Sequence, residues 1–270
     1  MTKRIIYLHC ITLFFIYTQF PLLSAPKAEP WDRWKTNDPS SEIQVDHGVY
    51  KNFLETYLAP PGAHGNTASM IKMKYADVSE DDKGALESYI HYLATIPVSR
   101  LHRDEQMAYW INLYNALTIR LILDHYPIKS IRDITFSMVS TGPWDKKLIT
   151  IEKTPVSLND IEHRILRPLW KDPRIHFAVN CASIGCPDIQ EIPFTRENLE
   201  ELLEKGIRDY INHQRGVSLV KGRLQLSSIF DWYYKDFAKT KRGILSFLIK
   251  YADKDVKEIL QAYEGSISYS

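Results

Sequence analysis

Cysteine is scarce in this sequence, and neither sign of charge is in excess. The 270 residues include three cysteines, and the 34 Lys and Arg are nearly balanced by 33 Asp and Glu. So few cysteines exclude a disulfide-rich scaffold. The net charge of +1 excludes a strong overall attraction to nucleic acid or to anionic membranes. We therefore expect no nucleic-acid partner.

Long apolar runs are also missing, except for one at the N-terminus. Lys3 and Arg4 precede an uncharged stretch from Ile5 to Leu23, and small residues follow at Ser24 and Ala25. This pattern is typical of a secretory signal peptide, so we expect residues 1–25 to be removed on export, with cleavage after Ala28 also open. An uncleaved anchor is the alternative, since the run is nearly long enough to span a bilayer. We expect a periplasmic or secreted protein with no integral membrane span after cleavage.

No internal repeat or low-complexity tract divides the rest of the chain. Residues 26–47 are polar and contain proline, and we interpret them as a linker or as an arm that wraps the surface. The remaining residues, 48–270, are enough to bury a large core as a single globular domain. This organisation assigns the chemistry of the protein to one domain.

Helical periodicity dominates that domain. Apolar residues at helical spacing predict helices over residues 49–58, 81–96, 104–125, 243–252 and 255–263. The third of these is apolar nearly all round, which predicts a central helix buried in the middle of the domain. Two further helices are predicted from typical N-terminal patterns, one at Ser157 with Asp160 and one at Phe194 with Thr195.

Strands are short and few in the prediction. Two hairpins are predicted, one over residues 148–157 and one over residues 217–226, and a compact strand over Ile175–Val179. Because helices outnumber strands and most strands are paired as hairpins, we predict an α+β fold. It is a mostly helical single domain with a buried central helix and short antiparallel strands.

Cys181 is the strongest candidate for chemistry. It follows the predicted strand and precedes the small residues Ala182, Ser183 and Gly185. A rigid strand behind a cysteine, with open backbone N–H groups beside it, suits a nucleophile and an oxyanion site. His163 is the candidate base, and Asn159 or Asp160, four and three residues before it on a helix, is expected to orient its ring.

Two other interpretations use the same residues and stay open. Cys181 and Cys186 lie five positions apart, so in an oxidising compartment they can form a disulfide, either structural or redox-active. The residue types of His163, His176 and the two cysteines suit zinc, but their spacing matches no standard zinc motif. We therefore expect no metal and no cofactor.

The central helix carries two amides, Asn112 and Asn115, on one face. Buried amides need partners, so they either pin a neighbouring loop or act as donors in the site, with Asn112 assisting the oxyanion. Further along, Asp231–Phe237 combines aromatic and acidic residues. We expect its rings to pack in the core and Asp236 to bond a buried partner.

Five motifs together resemble those of the DUF547 family, a domain of unknown function. They are Trp110–Asn115, Gly142–Trp144, Leu158–His163, His176–Cys181 and Asp231–Phe237, and the resemblance runs from about Ala85 to Tyr263. It departs from the family at Tyr263–Ile267, where members often close with a Tyr-Asp-Trp-Ser-Leu-like strand. The resemblance implies that Cys181 matters more than Cys186, because plant-type members carry serine at the second position. It thereby disfavours an obligatory disulfide.

These observations lead to one main functional hypothesis. We predict a thiol hydrolase or acyltransferase that acts on an amide or ester, such as a peptide or a cell-envelope amide. Its catalytic residues would be Cys181, His163, Asn159, Asp160 and Asn112, and its substrate-binding residues Trp110, Asn115, Trp144 and Ser183. The alternatives are a non-catalytic binding or scaffold domain and a thiol–disulfide redox role of Cys181 and Cys186.

Overall fold

Helices form most of the regular structure in the computed structural model, which describes residues 26–59, 70–136 and 142–270. Most strand pairs in this part are short and antiparallel, which confirms the α+β, mostly helical fold. The predicted signal peptide, residues 1–25, lies outside the described residues. None of the described helices is long and apolar enough to cross a membrane.

The five long predicted helices are confirmed to within one residue at each end. They correspond to α1, α2, α3, α8 and α9. In chain order the α-helices are α1 (Gly48–Tyr57), α2 (Glu80–Thr95), α3 (Arg103–His125), α4 (Arg167–Trp170), α5 (Leu199–Ile211), α6 (Ile229–Trp232), α7 (Tyr234–Phe237), α8 (Ile244–Tyr251) and α9 (Lys254–Ala262). The agreement follows from the strong helical spacing of their apolar residues.

The strands form three small sheets. They are β1 (Leu58–Ala59), β2 (Lys72–Met73), β3 (Ile149–Ile151), β4 (Thr154–Val156), β5 (Val217–Val220), β6 (Arg223–Leu226) and β7 (Ser268–Tyr269). The predicted hairpins are β3–β4 and β5–β6, and both turn through two residues of positive φ. Positive φ at both central residues is the geometry that two-residue hairpins favour. The final strand, β7, pairs parallel to β6, which the sequence analysis did not predict.

Two hydrophobic cores are built around these elements. The larger surrounds α3, whose residues from Glu105 to Ile119 are all buried, as predicted for the central helix. The segment 26–47 lies against this core, because the buried Trp34 ring packs edge-on against Trp110 with centroids 4.9 Å apart. The second core joins α5, the β5–β6 hairpin and α8.

The predicted strand over Ile175–Val179 is wrong. The structure has a 3-10 helix over Pro173–Phe177 there. Asp172 accepts a hydrogen bond from the backbone N–H of Arg174 at 2.9 Å, and Pro173 fixes the φ that starts the turn. A short apolar run does not distinguish a strand from a buried helical segment, so the local cap decided the outcome.

The helix predicted after Ser157 is present, but with an unexpected form. Ser157 and Asp160 make the predicted capping box, in which the Asp160 carboxylate accepts from the Ser157 N–H at 2.9 Å. The chain then forms a π-helix over Asp160–Leu166, which continues directly into α4. One extra residue per hydrogen-bonded turn changes which side chains share a face.

Candidate functional site

Cys181 and Cys186 close an exposed loop by a disulfide, with their Cα atoms 6.4 Å apart. Cys181 is half-buried and Cys186 is buried, whereas Ile184 between them is 76% exposed. Of the alternatives for the two cysteines, the structure therefore contains the disulfide. A sulfur in a disulfide has no thiolate form, so the predicted nucleophile is not free in this state.

The side-chain amide of Asn180 holds both ends of the loop. Asn180 accepts a hydrogen bond from the Ala182 N–H at 2.8 Å and donates to the Pro187 carbonyl at 2.7 Å. Ala182 has a φ of +56°, a left-handed conformation in which the Asn180 contact holds it. The Asn180 side chain thus spans the loop from its first turn to its end.

A second set of contacts comes from α5 and the residues after it. Arg215 donates to the Cys186 carbonyl at 2.7 Å and to the Asp188 carboxylate at 2.8 Å. The Tyr210 hydroxyl donates to the Gly185 carbonyl at 2.6 Å. Arg215 and Tyr210 were not predicted as part of the site, because no local pattern signals a contact between positions that are 25–29 residues apart.

The two amides of α3 pin backbone rather than face an open site. Asn115 donates to the Ala178 carbonyl at 2.9 Å and accepts from the Asn180 N–H at 2.8 Å. Asn112 makes the same kind of pair with both backbone groups of Phe194, at 2.7 and 3.0 Å. Of the two roles left open, the structure contains loop pinning, and Asn112 is not an oxyanion donor in this arrangement.

His163 lies in a buried cluster of charged and aromatic groups. Its Nδ1 is 2.9 Å from Nη1 of Arg167 and 3.7 Å from Oε1 of Glu162. Burial lowers the pKa of His163, and the charges of Arg167 and His176 lower it further against the opposing effect of Glu162 and Asp236. In the part of the chain that the structure describes, no hydrogen bond joins His163 to Cys181. The predicted catalytic pair is not assembled.

The expected orienting residues of His163 have other partners. Asn159 donates to the Asp145 carboxylate at 2.7 Å on the exposed side of the helix. Asp160 is committed to the Ser157 cap and to ion pairs with Lys147 and Arg164. The described hydrogen bonds of these two residues do not reach the His163 ring, because the cap holds Asp160 and Asp145 holds Asn159.

The predicted substrate-binding residues are scattered. Trp110 is fully buried in the first core and has no surface for a ligand. Trp144 is half-buried and packs over Gly142, where a Cβ would lie 1.9 Å from its ring. Ser183 is exposed at the tip of the disulfide loop, and Asn115 lies beneath that loop. Only the last two share a region with Cys181.

Asp236 bonds a buried partner, as predicted. Its Oδ2 is 2.7 Å from Nε2 of His176 and 2.7 Å from Nε of Arg167. Burial raises its pKa, but the hydrogen bonds from His176 and Arg167 outweigh that effect and lower the pKa to about 2. The Tyr233 ring stacks on His176 with centroids 4.4 Å apart. Arg167, which links His163 to Asp236, carried no recognisable signal in the sequence.

Metal ligation has no candidate set in the described ranges. Across residues 26–59, 70–136 and 142–270, no three His, Cys, Asp or Glu side chains are arranged to hold a metal ion. His163 and His176 are instead paired with Arg167 and Asp236. The polar groups of the cluster are thus hydrogen-bonded to one another, with Arg167 and Asp236 as an ion pair.

Comparison with known proteins gives one match. Residues 98–211 match the model of the family described as Protein of unknown function, DUF547. The match contains α3, the π-helix and the disulfide loop, but it ends before the Asp231–Phe237 motif. No curated protein and no solved structure matches the chain. Over residues 98–211, less than half of its length, the chain is similar to the DUF547 family, whose function is unknown.

Proposed function

We propose that Cys181 and Cys186 form a thiol–disulfide exchange site in a protein that works outside the cytoplasm. The observation that supports this proposal is the asymmetry of the disulfide. Cys181 is half-buried beside an exposed loop tip, while only 8% of Cys186 is exposed. Exchange needs one sulfur that a partner thiolate can reach and a second that leaves as a thiolate when the first is attacked.

The exchange proceeds in two balanced steps. A thiolate of a dithiol substrate attacks Sγ of Cys181, forming a mixed disulfide and releasing Cys186 as a thiolate. The second thiolate of the substrate then attacks the substrate sulfur that is bonded to Cys181, and Cys181 leaves as a thiolate. The substrate dithiol is thereby oxidised to a disulfide, and the Cys181–Cys186 disulfide is reduced to two thiols.

The surroundings of the loop support a leaving thiolate at Cys186. Arg215 donates to the Cys186 carbonyl while it is paired with Asp188, and a cation beside this residue, partly offset by that carboxylate, favours thiolate over thiol. The contacts from Asn180 and Tyr210 hold the loop backbone, so its shape does not depend on the disulfide alone. Such a loop can retain its shape while the sulfur–sulfur bond opens.

The compartment is part of the same proposal. A signal peptide over residues 1–25 would deliver the chain to the periplasm or the exterior, where disulfides persist. The substrate class is then an exported protein or peptide that carries two thiols. The acyl-transfer hypothesis, with a peptide or cell-envelope amide as substrate, lacks a base because His163 is bonded to Arg167.

A binding or scaffold domain is the second candidate, and one observation favours it. The polar groups expected to catalyse are committed elsewhere, Asn112 to the backbone of Phe194 and Asp160 to a helix cap. Under this alternative the disulfide is structural and keeps the surface loop closed permanently. The two candidates differ in one measurable property, the reduction potential of the disulfide.

The test equilibrates the purified protein in glutathione buffers of graded potential and counts free thiols by alkylation and mass spectrometry. We expect reversible reduction of the pair within the range of the glutathione buffers. With Cys186→Ser, the remaining Cys181 should form a mixed disulfide with glutathione at least about tenfold faster than Cys186 does in Cys181→Ser, because Cys186 is buried.

Two results would contradict the exchange function. The first is a pair that stays oxidised down to about −300 mV, which is the behaviour of a structural disulfide. The second is equal reactivity of the two single-cysteine variants, since the proposal rests on their different burial. Either result leaves the binding or scaffold domain as the better account.

A further inference from the structure

The segment before Trp34 is attached to the π-helix by its backbone. The N–H of Glu29 donates to the His163 carbonyl at 3.1 Å, and the N–H of Trp31 donates to the Arg164 carbonyl at 2.9 Å. The Arg164 guanidinium also lies over the Trp31 ring, 4.3 Å from its centroid. We call residues 26–31 the N-terminal arm. Alternate residues of the arm thus face the helix, as in an extended strand.

Proline and the π-turn explain why those carbonyls are free. In an α-helix the Arg164 carbonyl would accept from residue 168, which is Pro168 and has no N–H. The N–H of Arg167 binds the Glu162 carbonyl, so it does not reach the His163 carbonyl. These two helix carbonyls would therefore lack donors within the helix, and the arm supplies both.

One guanidinium connects the arm to the rest of the cluster. Nη1 of Arg167 is 2.9 Å from the Pro26 carbonyl and 2.9 Å from Nδ1 of His163. Nε of Arg167 donates to Asp236 at 2.7 Å. Arg167 is buried, so its position depends on these three acceptors together.

The contact with Arg167 defines the protonation state of His163. Arginine only donates hydrogen bonds, so Nδ1 of His163 must be an unprotonated acceptor and the ring is neutral. A proton added at Nδ1 would replace the hydrogen bond with two cations 2.9 Å apart. The other charged and titratable groups around the ring are Glu162, His176, Asp236 and Tyr233.

We propose that protonation of His163 displaces Arg167 and releases the N-terminal arm, so that mild acid exposes the helix carbonyls of His163 and Arg164. The carboxylates of Glu162 and Asp236 remain near the charged ring and stabilise it once Arg167 has moved. The arm then loses its contact at Pro26 together with the alignment of Glu29 and Trp31. This inference involves no cysteine and is independent of the exchange function.

The direction of the pH effect follows from the neutral ring. Burial places the pKa of His163 below its ordinary value of 6.5 while the arm is bound. The released state binds the proton more readily, so the attachment is fully stable above about pH 6.5 and weakens as the pH falls. Each pH unit between the two pKa values should raise the released fraction about tenfold.

The experiment measures hydrogen exchange of the Trp31 amide, corrected for its intrinsic rate, from pH 8 to pH 5. The corrected protection should fall with pH in the natural protein. His163→Gln keeps an oxygen that can accept from Arg167 but does not titrate, so its protection should not change with pH. His91→Gln is the matched control, since His91 is 71% exposed on α2, and it should behave as the natural protein does.

Constant protection in the natural protein would overturn the proposal, as would a pH-dependent loss that survives in His163→Gln. If His163→Gln does not fold, an NMR titration of the natural protein takes its place. The midpoint of the His163 ring must then coincide with the midpoint of Trp31 release. Midpoints that differ by more than about one pH unit would rule out His163 as the titrating group.

Discussion

The disulfide loop at residues 181–186 and the buried cluster around Arg167 use polar groups in opposite ways. The loop lies at the surface, and its exposed tip is held through backbone carbonyls by Arg215 and Tyr210. In the cluster, His163 and the half-buried Asp236 bond directly to the buried Arg167 side chain. The sequence analysis placed one member of each in a single catalytic pair. The difference shows that residues suited to one reaction can serve separate structural tasks.

The largest effect should come from the cluster. Arg167→Ala leaves the carboxylate of Asp236 without its cation and removes the donor to His163. We expect a loss of about 3–5 kcal/mol in the free energy of unfolding, because a partly buried charge loses its partner. Urea denaturation measures it, with the exposed Arg242→Ala as the control. A loss below about 1 kcal/mol would mean that the cluster contributes no more than a surface ion pair.

The next effect concerns the support beneath the loop. Asn115→Ala removes both hydrogen bonds to the backbone of Ala178 and Asn180. We expect the free energy of unfolding to decrease by about 2–3 kcal/mol, since a buried carbonyl and an N–H are left without partners. The exposed Asn52→Ala should cost less than about 0.5 kcal/mol. If both variants unfold at the same urea concentration, water has replaced the amide and the loop is not pinned by α3.

A smaller effect should appear in acid. Asp236 has a pKa of about 2 in the folded protein, below its usual 3.8. Its contribution is therefore present above about pH 4 and is lost as the pH falls toward 2, about 2 kcal/mol in total. The free energy of unfolding, measured at pH 5 and at pH 2.5, should decrease less between these two values in Asp236→Asn than in the natural protein. An identical decrease in both would assign the acid sensitivity to other carboxylates.

The smallest effect should come from the disulfide itself. Opening it by Cys181→Ser with Cys186→Ser removes a closed loop of only a few residues. The loop-entropy estimate is no more than about 2 kcal/mol, and the contacts from Arg215 and Tyr210 should reduce the loss. Thermal unfolding of the double variant tests this expectation. A larger loss than that of Arg167→Ala would reverse the comparison and make the loop the main structural element.

Much of the fold was predictable because its signals are local. The spacing of apolar residues in α3 marks a helix buried on all sides, and the Ser157–Asp160 cap marks a helix start. The short apolar run Ile175–Val179 fitted a strand and a buried helical segment equally well, and the cap at Asp172 with Pro173 starts a 3-10 helix there. Of the candidate site, the residue types and the cysteine pairing were foreseeable as alternatives, but the partner of His163 was not.

Local sequence alone determined the long helices, the hairpins, the buried amides of α3 and the similarity to the DUF547 family over residues 98–211. Tertiary structure decided which polar groups meet. Arg167, which binds His163, reaches Asp236 across 69 positions of the chain, and Asn115 reaches Asn180 across 65. Hydrogen bonds act over about 3 Å, so residue types reveal the capacity to bond, and only the packing of distant segments selects the partner.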